Sequence, residues 1–519
     1  MNEIFPSGAT NTEAPPAPAH PDGARRPLGP ASWYARPTAR HWTAPTAPHA
    51  PTPAHAFHAA LPDYAPTRLV ELPSLAAELG VGRVFVKDES SRLGLPAFKA
   101  LGASWALHRV LAERGGATAG PAGAGAGAPA GAAGAAAGAA AGPAGAGSGP
   151  VGAAAGPAGA AGAGAVAGAA EPVTFVTATD GNHGRAVARI ARLLGQRAHV
   201  FVSRGVHPEA VAAIEGEGAR VTRVAGPYDL AVREAARAVE DAEDGPGAGS
   251  GSGREASPTV LVQDSGRPGY ERIPGWIVEG YATLFAEIDA QLAAAGAGAP
   301  DLVAIPVGVG SLAQAAVTHY RAPAPDPGAG AGGGAGPALL AVEPEAAACV
   351  LESLRRGERV SVATGDTAMA GLNCGTPSSL AWPALRAGLD AAVAVSEARA
   401  ARAVRDLAAL GVPSGPCGAA SLAGVRAALT GDGAADRRAA LGLGPTATLV
   451  LLSTEGPAAN PHGQDTRAHG QSAEPHGSDA NAYSQTPDPY GPDTRHHEPD
   501  THPYGPGSTP HGPATHPEA

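Results

Sequence analysis

The chain has 519 residues, 73 of them glycine and 52 proline, with a formal net charge of -11. That length allows two domains, and the acidic balance argues against nucleic acid or an anionic membrane surface as partner, which leaves small molecules. Residues 1–20 lack an apolar signal core and no run of about 18 apolar residues free of Gly and Pro occurs, so no membrane partner is expected and the expected location is the cytoplasm.

Residues 1–50, rich in Pro, Ala, Thr and His without a hydrophobic period, read as a disordered leader. Order is expected from near Phe57, with an amphipathic helix over 72–79 ended by Gly80 and a strand over 83–86. A turn-rich link then reaches Lys99, which opens a helical pattern through Leu101, Trp105, Leu107 and Val110. Residues 115–170 are almost wholly Gly, Ala and Pro; they carry too little bulky surface to offset an ordering cost of about 1–2 kcal/mol per residue, and read as a surface linker. Beyond it, strands are expected over 172–178, 198–202, 220–224, 260–264, 302–306, 339–342 and 448–452. Helices are expected over 185–194, 208–218, 230–239, around Ile277 to Ile288, from Leu312, over 397–410 and over 418–429. Such alternation predicts a parallel sheet with covering helices.

Of the 36 Lys and Arg residues only Lys87 and Lys99 are lysines. A guanidinium stays charged and forms no imine, whereas an amine whose pKa is lowered by its surroundings attacks a carbonyl. Lys99, at a strand-to-helix junction, is therefore a Schiff-base candidate; the plain alternative is a solvated helix lysine. Gly308-Val309-Gly310-Ser311-Leu312 has the form of a backbone-amide cradle for phosphate at a helix start, though any tight strand-to-helix turn reads alike. In Asp180-Gly181-Asn182-His183-Gly184, Asn182 can donate to a phenolate-like oxygen and Asp180 can act as acid or base, while an Asx-rich helix cap explains the same letters and His183 can simply brace the turn. Cys349, Cys374 and Cys417 have no metal-ligand spacing, and a bridge between Cys349 and Cys374 stays open. The many histidines past residue 457 are irregularly spaced, so a plain disordered tail is preferred to a metal-binding one.

These motifs, with Lys87-Asp88-Glu89-Ser90, Gly94-Leu95-x-Ala97-Phe98-Lys99, Val262-Gln263-Asp264, Gly280-Tyr281-x-Thr283, Met369 to Gly375 and Ser453-Thr454-Glu455-Gly456, resemble the blocks of diaminopropionate ammonia-lyase. That family belongs to the pyridoxal-phosphate enzymes of the tryptophan synthase β type. The resemblance implies an α/β fold of two open, mainly parallel sheet domains with the cofactor, pyridoxal 5'-phosphate, in the interdomain cleft. Its expected layout is a large cofactor domain over 51–100 and 225–456, a smaller mobile domain over 101–224 and a disordered tail over 457–519. It further implies an imine on Lys99, Asn182 at the ring oxygen, Gly308, Val309, Gly310, Ser311 and Leu312 around the phosphate, and Ser453 at the pyridine nitrogen. Lys99 and Asp180 would remove the α-proton from opposite enantiomers. Asp180 and Asp264 would bind the second ammonium of a 2,3-diaminopropionate substrate, which is eliminated to pyruvate and two ammonia.

A homodimer is expected on the same ground, and no metal. A serine or threonine dehydratase of the same fold is the alternative, disfavoured by the two aspartates; a catalytically silent ligand-binding relative is another. Two departures from the family pattern stand out. Ser265-Gly266-Arg267-Pro268 occupies the place of an early aromatic after Asp264, and Pro416 and Cys417 replace a glutamate and a serine.

Overall fold

The computed structural model describes residues 31–44, 52–61, 63–114, 172–179, 181–226, 228–244, 258–323 and 336–459. All of these belong to one compact unit, residues 1–468; a second, 469–519, lies wholly outside the described residues, as does the insert 115–170.

Among the described residues, eleven strands form two sheets. They are β1 (Trp33–Ala35), β2 (Leu69–Glu71), β3 (Arg83–Asp88), β4 (Thr174–Thr179), β5 (Arg197–Val202), β6 (Arg220–Arg223), β7 (Thr259–Leu261), β8 (Leu302–Pro306), β9 (Ala338–Pro344), β10 (Ala391–Val395) and β11 (Thr448–Ser453). The larger sheet runs β1-β10-β9-β8-β11-β3-β2 and the smaller β6-β5-β4-β7. Only the edge strands β1 and β2 pair antiparallel; every other pairing is parallel. Every residue of β8, β9, β10 and β11 is buried, as befits parallel strands covered on both faces, and this is why they read as unbroken apolar runs instead of alternating ones.

Three expectations need correcting. Residues 31–44 are not part of a featureless leader: Trp33, Tyr34 and Ala35 pair with Val393, Ala392 and Ala391, and a 3-10 turn follows over Pro37–His41. Order precedes Phe57 again at the helix Pro53–Ala59, which begins on a Pro in the first turn with Thr52 capping. The smaller sheet does not close by residue 224, because β7 completes it and the helix Tyr228–Asp244 precedes that strand.

The helix Lys99–Glu113 lies against the helix Arg272–Ala294 at an unusually close crossing. A Cβ on Gly280 would stand 2.5 Å from the Leu101 carbonyl oxygen, and one on Gly102 would stand 2.7 Å from Ile277 and Tyr281 side-chain atoms. Only hydrogen fits at either place, so the backbone that carries Lys99 is held directly against its neighbour.

His58 ties the same helices together. Its Nε2 donates to the Leu101 carbonyl at 3.0 Å and its Nδ1 accepts from Thr283 at 2.8 Å. Burial pushes this imidazole from 6.5 to about 3. The folded state thus refuses a proton that the unfolded chain accepts, so the stability gained by keeping His58 neutral is present above pH 6.5 and lost as pH falls toward 3. At about 1.4 kcal/mol per pH unit the loss at pH 5 is roughly 2 kcal/mol. Urea unfolding at pH 7 and pH 5 checks this, and a His58→Asn variant should show the weaker pH dependence.

Candidate active site

The predicted site residues gather at the carboxyl ends of parallel strands, where open α/β sheets bind ligands. β3 leads into the turn before Lys99, β4 into Gly181 and Asn182, β7 into Asp264, β8 into the 308–312 loop, and β11 ends on Ser453 itself. Asp180 lies outside the described residues.

Lys99 does not point into bulk water. Its Nζ donates to Asp264 Oδ2 at 2.5 Å, and the two side chains are 21% and 12% exposed. Ser311 Oγ donates to the Asp264 carbonyl at 2.9 Å, so one aspartate joins the lysine to the start of the helix Ser311–Tyr320. The charge state of Lys99 differs from expectation. Burial alone would lower its pKa, but the Asp264 carboxylate outweighs burial and raises it above the ordinary lysine range. Reciprocally, burial opposes the charge on Asp264, yet Lys99 and His183 hold that carboxyl below its usual range. In this buried pair Lys99 is the cation and Asp264 the anion.

Asp264 is fixed from several sides. His183 Nε2 donates to the Val262 carbonyl at 2.9 Å. The Gln263 amide clamps the end of β4, accepting from Ala178 N at 3.0 Å and donating to the Ala178 carbonyl at 3.1 Å. Tyr270 braces the residue before Asp264: its hydroxyl accepts from Gln263 N at 2.8 Å and donates to the Leu261 carbonyl at 2.9 Å. An Arg267 to Tyr270 bridge closes the intervening loop.

The glycine cradle takes its shape from Gly310, at φ 101, where a Cβ would meet Leu385 at 2.5 Å. The first turn of the helix that follows leaves amides without intrahelical acceptors, the usual donor set for phosphate.

At the far side, Ser453 Oγ donates to Ser414 Oγ at 2.8 Å, and Asn182 Nδ2 donates to Glu455 Oε2 at 2.7 Å. Glu455 also accepts Cys417 N at 3.1 Å, which caps the helix Pro416–Leu429 in a chain whose own cap, Gly415, has no side chain. Burial raises the pKa of this carboxyl. Cys349, Cys374 and Cys417 are all free thiols. Ser414 and the side-chain role of Glu455 escape sequence reasoning; the latter lies within a quoted block, and only its contacts reveal what it holds.

The residues present fit pyridoxal phosphate: an amine for the aldehyde, helix-start amides for the phosphate, the Asn182 amide for the phenolic oxygen and, with its one hydrogen turned from Ser414, the Ser453 hydroxyl for the ring nitrogen.

Comparison with known proteins points the same way. The family described as "Pyridoxal-phosphate dependent enzyme" matches residues 157–443. The diaminopropionate ammonia-lyase of Salmonella typhimurium is 30% identical over 410 residues, covering 77% of this chain and 87% of the relative. The crystal structure of the Escherichia coli diaminopropionate ammonia lyase in complex with an aminoacrylate-PLP azomethine reaction intermediate aligns with a TM-score of 0.64 at 27% identity, over 85% of this chain and 97% of that one. The same E. coli enzyme in complex with D-serine gives 0.65 at 26% identity, over 85% and 98%. Among the described residues no helix is long and apolar enough to cross a membrane.

Proposed function

This chain belongs to the pyridoxal-phosphate-dependent enzymes and, within them, to the diaminopropionate ammonia-lyases, and from that membership we propose how its residues eliminate ammonia from 2,3-diaminopropionate. It is a carbon-nitrogen lyase whose overall reaction converts the diamino acid and one water to pyruvate and two ammonia. Bound at this site, the cofactor supplies an electron sink for the pair left at the α-carbon.

The protein's share is placement and proton transfer. Lys99 holds the cofactor and serves as base on one face of the substrate; Asp180 serves on the other, so that both enantiomers are taken. Asn182, held by Glu455, faces the ring oxygen. Gly308, Val309, Gly310, Ser311 and Leu312 hold the phosphate through backbone amides. Ser453 meets the ring nitrogen as a neutral hydroxyl, which leaves that nitrogen less protonated and suits elimination over transamination. For Lys99 to act as base its amine must be neutral, and Asp264, then no longer facing a lysine cation, would be free to take the second ammonium of the substrate.

The contact that carries this reading is Lys99 on Asp264 at 2.5 Å, with Asp264 in turn bonded to Ser311 at the cradle. We place the two site walls in a larger domain carrying the seven-stranded sheet and a smaller one carrying the four-stranded sheet. A cytoplasmic location accords with three free thiols, and a homodimer is expected by resemblance to the family.

Release of the 2-oxo acid, pyruvate from the D and L enantiomers of 2,3-diaminopropionate and from D- and L-serine and 2-oxobutanoate from L-threonine, is the decisive assay. Turnover of the diamino acid well above the hydroxy acids is the expected result. Turnover of serine or threonine alone would replace the proposal with a dehydratase, and a colourless protein inactive on all would replace it with a ligand-binding relative.

A further inference from the structure

Two buried polar atoms beside the Lys99 and Asp264 pair have no hydrogen-bond partner: Nδ1 of His183 and the hydroxyl of Tyr281. The residues are 3% and 1% exposed, so bulk solvent does not reach them. A buried group left unpaired costs about 1–3 kcal/mol, and such atoms in native proteins call for an explanation.

Their chemistry is fixed by their surroundings. The Val262 carbonyl can only accept, so Nε2 of His183 carries the hydrogen and Nδ1 presents a bare lone pair. Burial pushes the imidazole pKa down, keeping that lone pair free of a proton. Tyr281 packs its ring on Phe98, the residue before Lys99, with centroids 4.8 Å apart, and Lys99 Nζ stands 5.9 Å from the same Phe98 ring. Burial raises the Tyr281 pKa, so it remains a phenol with two lone pairs, and the charges of both Lys99 and Asp264 act on it. His183 feels the same two charges.

We propose that His183 Nδ1 and the Tyr281 oxygen, together with the Asp264 carboxylate, receive the three N–H groups of the substrate's second ammonium and set the preference for a diamino acid over a hydroxy acid. The inference rests on the elimination reading above and assigns its specificity. Three acceptors match one ammonium. A serine hydroxyl brings a single donor, and a site built around a polar group rejects the analogue that leaves its acceptors unpaired.

The test uses holoenzyme carrying Tyr281→Phe or His183→Gln. The first keeps the ring that packs on Phe98 and removes only the hydroxyl; the second keeps an N–H for the Val262 carbonyl and moves the acceptor from the Nδ1 position to an amide oxygen. For each, kcat/KM for 2,3-diaminopropionate and the inhibition constant of D-serine are measured in one assay, with the visible spectrum of the bound cofactor as a control on its placement. Hydrogen bonds to a charged group are worth about 1.5–3 kcal/mol, so kcat/KM should fall roughly 10- to 150-fold. That fall should exceed any rise in the D-serine constant by at least about tenfold, with the spectrum retained. Equal effects on both ligands, or no loss with either variant, would overturn the inference while leaving the elimination reading intact. A wild-type enzyme inactive on the diamino acid would overturn both.

Discussion

A Lys99→Ala enzyme should release pyruvate at no more than about one-thousandth of the wild-type rate, the order that general acid–base catalysis alone supplies, and should lose the visible absorbance of the cofactor. The comparison with Lys99→Arg separates charge from chemistry. A guanidinium keeps a cation against Asp264, so the buried pair and the fold survive, but it forms no imine and gives up no proton. Lys99→Arg should therefore unfold within a few degrees of wild type and still be colourless and inactive. Retained colour and turnover in either variant would move the cofactor's anchor away from residue 99. Single-turnover pyruvate assays and a spectrum of the dialysed protein decide it.

How much of this was readable from the letters depends on the range of each interaction. The position of Lys99 at a helix start after β3, and of Asn182 and the 308–312 loop at strand-to-helix turns, is legible from apolar runs that give way to glycine and small polar residues, whereas Ser453 stands out only through resemblance to the family. The charge state of Lys99 is not legible. It depends on Asp264, 165 positions away, and the pairing reverses the effect of burial. β10 escapes sequence reasoning because three of the five residues in Ala391-Ala392-Val393-Ala394-Val395 are alanine, a strong helix former; burial between β9 and β1 overrides that propensity. β1 was missed because a three-residue strand in a proline-rich stretch has too few positions to show a period, and only its pairing to β10 orders it. The orphaned atoms of His183 and Tyr281 were invisible in principle, since being unpartnered is a property of the folded neighbourhood.

The other lysine explains itself by the opposite logic. Lys87 is fully buried, and its Nζ reaches Glu287 Oε2 at 2.7 Å, the Thr67 carbonyl at 2.8 Å and Gln291 Oε1 at 2.9 Å. Arg92, also fully buried, grips Glu287 through Nη1 at 2.6 Å and Nη2 at 2.8 Å, and Glu89 at 2.8 and 2.7 Å. Tyr64 and Thr67 complete the shell around Glu287. Two cations and two anions thus cancel inside the core and join β3 to the helix Arg272–Ala294, the helix that presses against Lys99. Glu287→Ala should cost about 3–5 kcal/mol, because it leaves two buried cations facing one carboxylate.

An independent route gives a similar size. Burial opposes the Glu287 charge, but Arg92 and Lys87 outweigh it and bring the carboxyl from 4.5 to about 2, a shift worth roughly 3 kcal/mol. Stability from this group is therefore present above pH 4.5 and lost as pH falls through about 2. Urea unfolding of Glu287→Ala, Lys87→Met and the double variant at pH 7 measures the coupling. The double variant removes one charge of each sign and should be less damaged than the sum of the two single losses; strict additivity would mean that Lys87 and Glu287 are neighbours without being partners.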